Sequence, residues 1–433
     1  MARRYRMHTL SCMAREAGIA VALLCALFAT LPVQAQTFTV LHYFTKGPDG
    51  AYPLSVVIDR GGNLYGDATG GGQETYFCPE GGCGTIFKLS QKNGSWLLST
   101  LYSFDGDPHG AGPGMLTMAS DGSLYDSVFV VNRTPRIIRL QPPLQPCRAV
   151  QCYWTYTTIY SFTGAENGAS PNQGPLTFDS AGNIYGVTES GGNSTCSGLN
   201  NSQCGTVYEL VKTGNTYNLN FLYLFSGPDG AHPGPYEGLL LDHAGNIYGT
   251  TIYGGPTRNY GTVFQLQNTG SGWSENLLHA FSHDNDDQGR YPYAGLTMDS
   301  AGSLYGTTFI GGVNSGGTAF EFSYSGGWNF SVIYPFVEHD GDGGGSVGAL
   351  TLGPDGSLYG ATSTDGIYNL GTIFKLTYQN GSWNYQSLHD FRGGDNDGES
   401  PTGNLVFDAQ GNLYGTTLGG GEYNGGTVWE ITP

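Results

Sequence analysis

Short apolar runs alternate with glycine-rich turns along the chain, and after residue 36 the pattern repeats. A segment with the order Gly-Asn/Ser-Leu/Ile-Tyr-Gly occurs seven times, and Asp126 is the single departure from its last glycine. The tyrosines of these segments lie 54 to 63 residues apart and are Tyr65, Tyr125, Tyr185, Tyr248, Tyr305, Tyr359 and Tyr414. A repeat of this length indicates an array of similar supersecondary units.

Each repeat predicts four short strands, called a to d below. Strand a is an apolar run such as Leu296 to Met298, and strand b is the Leu-Tyr-Gly segment. Strand c has the pattern Gly-Thr-Val-Phe, and strand d has an aromatic ending such as Leu-Tyr-Ser-Phe from Leu101. β-branched and aromatic residues between Gly, Asp and Asn turns favour strands, so no helix is expected. Four strands per repeat are typical of a β-propeller blade.

The two ends of the sequence indicate how the blades close. The seventh strand c is followed by Pro433 and no strand d, whereas Thr37 to Phe44 has the aromatic ending of a strand d. We therefore expect an all-β, seven-bladed propeller in which the N-terminal strand completes the last blade and removes an open edge. The second repeat is degenerate, because Arg136 to Leu140 is a poor strand c, but it is counted as a blade.

Residues 1–35 predict a cleavable signal peptide, followed by one domain over residues 36–433. A basic leader precedes the apolar run Ile19 to Leu31, and Val33-Gln34-Ala35 offers a cleavage site. The run is too short to span a bilayer, so we expect a secreted or periplasmic monomer without stable membrane insertion. The pair Arg3-Arg4 leaves the general and twin-arginine export routes both open.

Charge and cysteine content fit an exported protein. Residues 36–433 contain 13 basic and 34 acidic side chains, a net charge of −21 that disfavours nucleic acid and attracts cations or basic partners. Six cysteines fall into three close pairs without a histidine at metal-ligand spacing. In an oxidising compartment we expect the disulfides Cys78–Cys83, Cys147–Cys152 and Cys196–Cys204.

The segments Leu-Tyr-Gly-Thr-Thr, Gly-Gly and Gly-Thr-Val-Phe resemble the GloVer-type tandem repeat of exported bacterial proteins over the whole of residues 36–433. The resemblance implies an extracellular or surface-displayed protein with a variable C-terminal anchor and no established activity. Nothing follows the last strand here, which favours a soluble protein over covalent attachment. The order of turns and strands is also similar to NHL-like propellers, which include binding modules and a few lyases.

Acidic residues cluster in three consecutive loops between strand d of one blade and strand a of the next. In a propeller these loops share a face with the b-to-c loops and surround the mouth of the central channel. Carboxylates alternating around glycine suit calcium, and the alternative is a set of solvated polar turns. This acidic rim comprises Asp284, Asp286, Asp287, Asp340, Asp342, Asp395, Asp397 and Glu399, with Asp286, Asp342, Asp395 and Asp397 as the candidate calcium ligands.

Other polar residues carry weaker signals. His109 and His232 lie in equivalent loops of the same face, where they are candidate binding residues and a weak case for acid–base chemistry. A recurring Asp before each a-to-b turn, such as Asp179, is predicted to be structural because it can bond its own backbone. The recurring aromatics are predicted to pack between blades.

Three functions remain open at this point. The first is a non-enzymatic binding or scaffolding propeller that recognises an extracellular glycan or protein through its acidic loop face. The second is a lyase or hydrolase that uses rim acids with His109 or His232, and the third is a calcium-stabilised structural protein of the cell envelope. No catalytic residue is assigned, since the polar groups repeat from blade to blade and an active site needs unlike groups that converge once.

Overall fold

Glycine and Asp/Asn turns divide the chain into short strands, and the computed structural model gathers these strands into seven sheets. It describes residues 36–79, 81–106, 109–129, 135–143, 154–164, 170–192, 196, 203–234, 236, 238–256, 259–337 and 343–433, without the side chains of residues 284–286 and 403. Residues 1–35, the pair Cys147 and Cys152, and the rim residues Asp340 and Asp342 lie outside the described residues.

The strand bounds follow the predicted repeats. Blade one contains β2 (Ala51–Ile58), β3 (Leu64–Gly70), β4 (Thr85–Lys92) and β5 (Ser95–Ser103). Blade two contains β6 (Ala111–Pro113), β7 (Thr117–Met118), β8 (Leu124–Phe129), β9 (Arg136–Gln141) and β10 (Thr155–Ser161). Blade three contains β11 (Ser170–Pro171), β12 (Thr177–Phe178), β13 (Ile184–Ser190), β14 (Thr206–Thr213) and β15 (Thr216–Leu224).

The remaining blades have the same order. Blade four contains β16 (Leu240–Leu241), β17 (Ile247–Thr251), β18 (Thr262–Asn268) and β19 (Trp273–Ala280). Blade five contains β20 (Thr297–Met298), β21 (Leu304–Thr308), β22 (Ser315–Tyr324) and β23 (Trp328–Val337). Blade six contains β24 (Thr351–Leu352), β25 (Leu358–Thr362), β26 (Thr372–Gln379) and β27 (Ser382–Asp390), and blade seven contains β28 (Gly398–Phe407), β29 (Leu413–Gly420), β30 (Thr427–Thr432) and β1 (Thr37–Tyr43).

The predicted closure of the ring is confirmed. The sheet of blade seven has the order β1-β30-β29-β28, so the N-terminal strand is its outer strand. Phe44, directly after β1, donates its backbone N–H to Gly426 at 3.0 Å, and its fully buried ring lies 5.1 Å from that of Phe87 in blade one. One segment therefore joins the first and last blades.

A glycine in strand b makes room for an aromatic residue in strand c. Gly66 lies opposite Phe87, and Gly415 lies opposite Trp429. A Cβ atom at either glycine would collide with the opposite ring. The same pairing occurs in blades three to six, where the rings belong to Tyr208, Phe264, Phe320 and Phe374.

Blade two departs from this pairing but still forms a sheet. Asp126 stands where the other blades have glycine, and Ile138 lies opposite it in place of the aromatic ring. The weak strand c of the sequence, Arg136–Gln141, pairs with both of its neighbours. The count of seven blades is therefore confirmed.

Aromatic residues also connect neighbouring blades, as predicted. The residue at or near the start of strand d packs edge-on against the strand b tyrosine of the preceding blade. Ring centroids are separated by 6.1 Å for Trp96 and Tyr414, 5.9 Å for Trp154 and Tyr65, 5.8 Å for Trp328 and Tyr248, and 6.0 Å for Trp383 and Tyr305. These contacts add a repeated apolar seam to the buried clusters between blades.

Helical structure and disulfides complete the fold. The expectation of no helix was wrong at one loop, where His283–Gln288 forms a short 3₁₀ helix. No helix among the described residues is long and apolar enough to cross a membrane. The disulfides Cys78–Cys83 and Cys196–Cys204 are present, with Cα–Cα distances of 5.4 and 5.1 Å, and the predicted Cys147–Cys152 bridge lies outside the described residues.

Candidate functional site

The d-to-a loops and the b-to-c loops meet on one face, called the loop face below. Backbone hydrogen bonds join them in several blades: Gly72 donates to Gly47 at 2.7 Å, Gly255 to Gly227 at 2.9 Å, and Gly421 to Asp397 at 2.7 Å. This arrangement places the predicted acidic loops beside the ends of strands b and c. The a-to-b turns and c-to-d hairpins lie on the opposite face, called the turn face.

Within the acidic rim, the carboxylate of Asp397 is already hydrogen-bonded to groups of its own loop and of the preceding strand. Its carboxylate is nearly buried and accepts hydrogen bonds from His389 Nε2 at 3.1 Å, Arg392 N at 3.0 Å and Gly398 N at 2.8 Å. Asp49 and Asp229 fill the same role in other blades, where they bind the strand d residues His42 at 3.0 Å and Tyr223 at 2.6 Å. This contact recurs because the loop needs an acceptor for its free N–H groups.

The effect of these contacts is visible at Asp49. Burial alone would raise the pKa of this carboxyl, but hydrogen bonds from His42 and Thr45 outweigh it and hold the pKa below its usual value. Asp49 is therefore an ionised structural acceptor at neutral pH.

The other rim residues do not form a described cluster. Asp395 and Asp287 are exposed, and Glu399 is partly buried. Asp284 and Asp286 lie in the 3₁₀ helix, where their side chains are not described, and Asp340 and Asp342 lie outside the described residues. No group of three or more His, Cys, Asp and Glu side chains suited to a metal ion occurs in the described part of the chain. The acidic rim and its calcium stay predictions.

The two candidate histidines have separate surroundings. His109 Nδ1 lies 2.8 Å from Asp105 Oδ2, and the His109 carbonyl accepts a hydrogen bond from the Tyr156 hydroxyl at 2.8 Å. His232 is partly buried beside Tyr253, and burial lowers its pKa. The two residues lie in loops that lead into different blades. Their role in binding stays a prediction.

On the turn face, the recurring Asp is structural, as its position predicts. Asp179 accepts hydrogen bonds from Ala181 N at 2.9 Å, Asn183 N at 2.9 Å, Asn183 Nδ2 at 2.8 Å and the Tyr185 hydroxyl at 3.2 Å. The same network surrounds Asp59, Asp242 and Asp408. It fixes each turn and leaves no carboxylate oxygen of Asp179 unused.

A groove of about 690 Å³ opens on the turn face between blades four and five. We call it the amide groove, because Gln265, Gln267 and Asn276 line one wall. On the opposite wall the Tyr324 ring is 64% exposed, and Trp328 lies 5.3 Å from it, centroid to centroid. The remaining lining residues include Asp242, His243, Asn246, Tyr248, Leu278 and Met298.

Hydrogen bonds hold the amide wall in place. Gln265 Nε2 donates to the Tyr248 hydroxyl at 2.8 Å, and Asn276 Nδ2 donates to Gln265 Oε1 at 3.1 Å. The Tyr248 hydroxyl in turn donates to Asp242 Oδ2 at 3.1 Å. Burial, followed by the charge of Asp242, raises the pKa of Tyr248 to about 12, so its hydroxyl keeps its proton.

This groove was not predicted from the sequence, although one signal was present. The residue at the Gln265 position of strand c is charged in every other blade, as Lys88, Arg139, Glu209, Glu321, Lys375 or Glu430. A groove of about 580 Å³ between blades two and three has a similar position, but Asp121, Asp179 and Lys212 line it. The amide groove therefore differs from its repeats by its neutral, hydrogen-bonding wall.

Solved structures with a similar fold have different descriptions. A candidate 6-phosphogluconolactonase from Bacteroides uniformis is 16% identical, with 84% of this chain and 89% of that chain covered and a TM-score of 0.51. A protein of unknown function from Dyadobacter fermentans is 13% identical, with coverages of 92% and 100% and a TM-score of 0.44. The PQQ-bound aldose sugar dehydrogenase from Streptomyces coelicolor is 15% identical, with coverages of 82% and 98% and a TM-score of 0.42. At such identities the likeness concerns the fold alone.

No curated protein matches the sequence. The pattern of the Gloeobacter/Verrucomicrobia repeat, in contrast, matches residues 150–346 and 276–433, which together cover more than half of the chain. The match begins at residue 150, ahead of strand d of blade two, and so covers less than the resemblance found in the sequence. The repeats, the seven blades and this match agree, and the chain belongs to the Gloeobacter/Verrucomicrobia (GloVer) repeat family.

Proposed function

We propose that this protein is an exported, non-enzymatic binding propeller that holds a neutral glycan in the amide groove. The observation that carries the proposal is the exposed Tyr324 ring opposite the amides of Gln267 and Asn276. The less polar face of a sugar ring packs on an aromatic ring, and its hydroxyl pairs match the combined donor and acceptor of a side-chain amide. The two disulfides fit an oxidising compartment outside the cytoplasm.

The charge of the groove favours a neutral ligand. The chain has a net charge of −18, which repels an acidic polysaccharide, and the groove wall supplies amides where other blades have charged side chains. Asp242 is the carboxylate among the described lining residues, and its oxygens already accept bonds from the turn and Tyr248. Glycoside hydrolysis ordinarily needs two available carboxyl groups, so binding fits this groove better than hydrolysis.

The test is a glycan-array screen of the mature protein, followed by titration of the retained glycan against matched variants. Tyr324→Ala should weaken binding about tenfold, which corresponds to the loss of one aromatic contact. Tyr378→Ala is the control, because Tyr378 is the equivalent residue of blade six, 60% exposed and 5.4 Å from Trp383. On the preceding blade five, the position equivalent to Gln265 is the charged Glu321.

A second variant tests the neutral wall. Gln265→Glu gives blade four the residue of blades three, five and seven, where a glutamate beside the tyrosine is tolerated. It should therefore fold normally and bind the neutral glycan more weakly. Equal losses for Tyr324→Ala and Tyr378→Ala would contradict the proposal. The proposal would also be contradicted if the protein bound no glycan and bound only a basic protein. Loss of that binding in the variant Asp395→Asn with Glu399→Gln would place recognition on the acidic loop face.

A further inference from the structure

Two buried carboxylates lie where blades one and two meet. Asp67 on β3 is 0% exposed and Asp126 on β8 is 1% exposed. The segment that leads into blade two connects them: Gly114 N donates to Asp126 Oδ1 at 2.9 Å, and Leu116 N donates to Ser55 Oγ at 3.0 Å. Ser55 in turn donates its hydroxyl to Asp67 Oδ1. We call this arrangement the carboxylate pair.

Both residues break the repeat, and they do so once. The Asp67 position holds Ser, Val, Thr or Ala in the other blades, and the Asp126 position holds glycine in all of them. The glycine normally faces an aromatic ring, but Asp126 faces Ile138, so the space of the missing ring receives the carboxylate. Two departures from the repeat, both acidic and both at one seam, indicate a built site, whereas a tolerated defect would need no second acidic residue.

The pair has no positive partner in the described part of the chain. Asp126 Oδ2 is buried without any hydrogen-bond partner, and among the described residues no ion pair involves Asp67 or Asp126. Burial raises the pKa of both carboxyls, and the charge of Asp67 raises the pKa of Asp126 further. Two buried negative charges are costly unless a cation or a proton compensates them.

The contacts favour a cation over a proton. Asp67 accepts bonds from Leu54 N at 3.3 Å and from the Ser55 hydroxyl, and such donors favour its charged form. A proton on Asp126 Oδ2 would need an acceptor of its own, whereas a cation satisfies that oxygen directly.

We propose that Asp67 and Asp126 form a binding site for a hard cation such as calcium, which joins blades one and two. Carboxylate, hydroxyl and carbonyl oxygens are the ligands that such ions take. The site is separate from the acidic rim and from the amide groove, and it does not depend on the proposed glycan.

The experiment compares melting curves of the mature protein in chelator and in millimolar calcium, with magnesium as a second probe, and measures bound metal directly. Calcium should raise the melting temperature by at least about 2 °C. In chelator the melting temperature should fall as the pH rises from about 4 to about 7, because the folded pair holds protons that the unfolded chain has already released. Calcium should remove this fall.

Two variants locate the effect. Asp126→Asn should lose the calcium response and the bound metal. The double variant Asp126→Gly with Ile138→Phe restores the pairing of the other blades, so it should fold and melt at a temperature independent of calcium. Asp395→Asn with Glu399→Gln separates the two candidate calcium sites: it should keep the full response, and loss of the response in this variant would place the ion on the acidic rim and overturn the proposal. A parent protein without a calcium response, together with a more stable Asp126→Asn in chelator, would show a proton-holding pair and overturn the proposal.

Discussion

Trp383 on strand d of blade six packs edge-on against Tyr305 on strand b of blade five, with ring centroids 6.0 Å apart. We expect Trp383→Ala to lower the free energy of unfolding by about 2 kcal/mol, because the contact joins two blades and is partly buried. Chemical denaturation measures the change. Tyr76→Ala is the control, since this 92% exposed ring should contribute little, and equal effects would contradict the role of Trp383 as an interblade contact.

The closure of the ring predicts a strong effect at Phe44. Its ring is fully buried between blades seven and one, so Phe44→Ala should cost about 3 to 5 kcal/mol. Deletion of residues 36–44 should open the ring and expose a strand edge that promotes aggregation. Denaturation and light scattering check both outcomes. Tyr76→Ala, at a 92% exposed position, should leave stability unchanged.

The two kinds of loop acid predict different mutational effects. Asp179→Ala removes the acceptor of four hydrogen bonds on the turn face and should cost about 1 to 3 kcal/mol. Asp395→Ala on the exposed rim should change stability by less than about 0.5 kcal/mol. A loss at Asp395 as large as that at Asp179 would mean that the rim carboxylate has a structural partner.

Acidification should destabilise blade four through His279. This side chain stacks on Phe330, with centroids 4.1 Å apart, and burial lowers its pKa to about 4. The unfolded chain therefore takes up the proton first, and the free energy of unfolding should fall as the pH drops from about 6.5 to about 4. His279→Tyr, the residue of several other blades, should weaken this pH dependence of the melting temperature. His243→Tyr, at an exposed position, should not.

The third disulfide is a prediction from sequence that mass mapping can test. Non-reducing digestion of protein from its native compartment should give Cys78–Cys83, Cys196–Cys204 and Cys147–Cys152. Loss of any one bridge should cost about 2 kcal/mol, as expected for a small closed loop. A free thiol at Cys147 or Cys152 would refute the third pair.

The sequence predicted the blades well and the sites poorly, for a physical reason. Tyr305 and its equivalents recur because each blade needs the same turn and the same interblade contact. Periodicity alone therefore locates the strands. Asp397 looks like a free rim acid in the sequence, and only its distance to His389 shows that it is already engaged. The amide groove needs Gln267 and Tyr324 from two different blades to face each other, which no local pattern specifies.

The pairing of β1 with β30 also means that the ring can close only when the last strand is present. Six blades consist of contiguous segments and can form as the chain emerges, but Thr37–Tyr43 has no partner until Thr427–Thr432 arrives. The contact between these distant segments has the highest entropic cost of loop closure in the molecule. We therefore expect it to form late in folding. A copy truncated before Thr427 keeps an unpaired strand at each side of the gap. Proteases and aggregation can thus remove incomplete copies, while in the finished ring β1 and β30 are paired with each other.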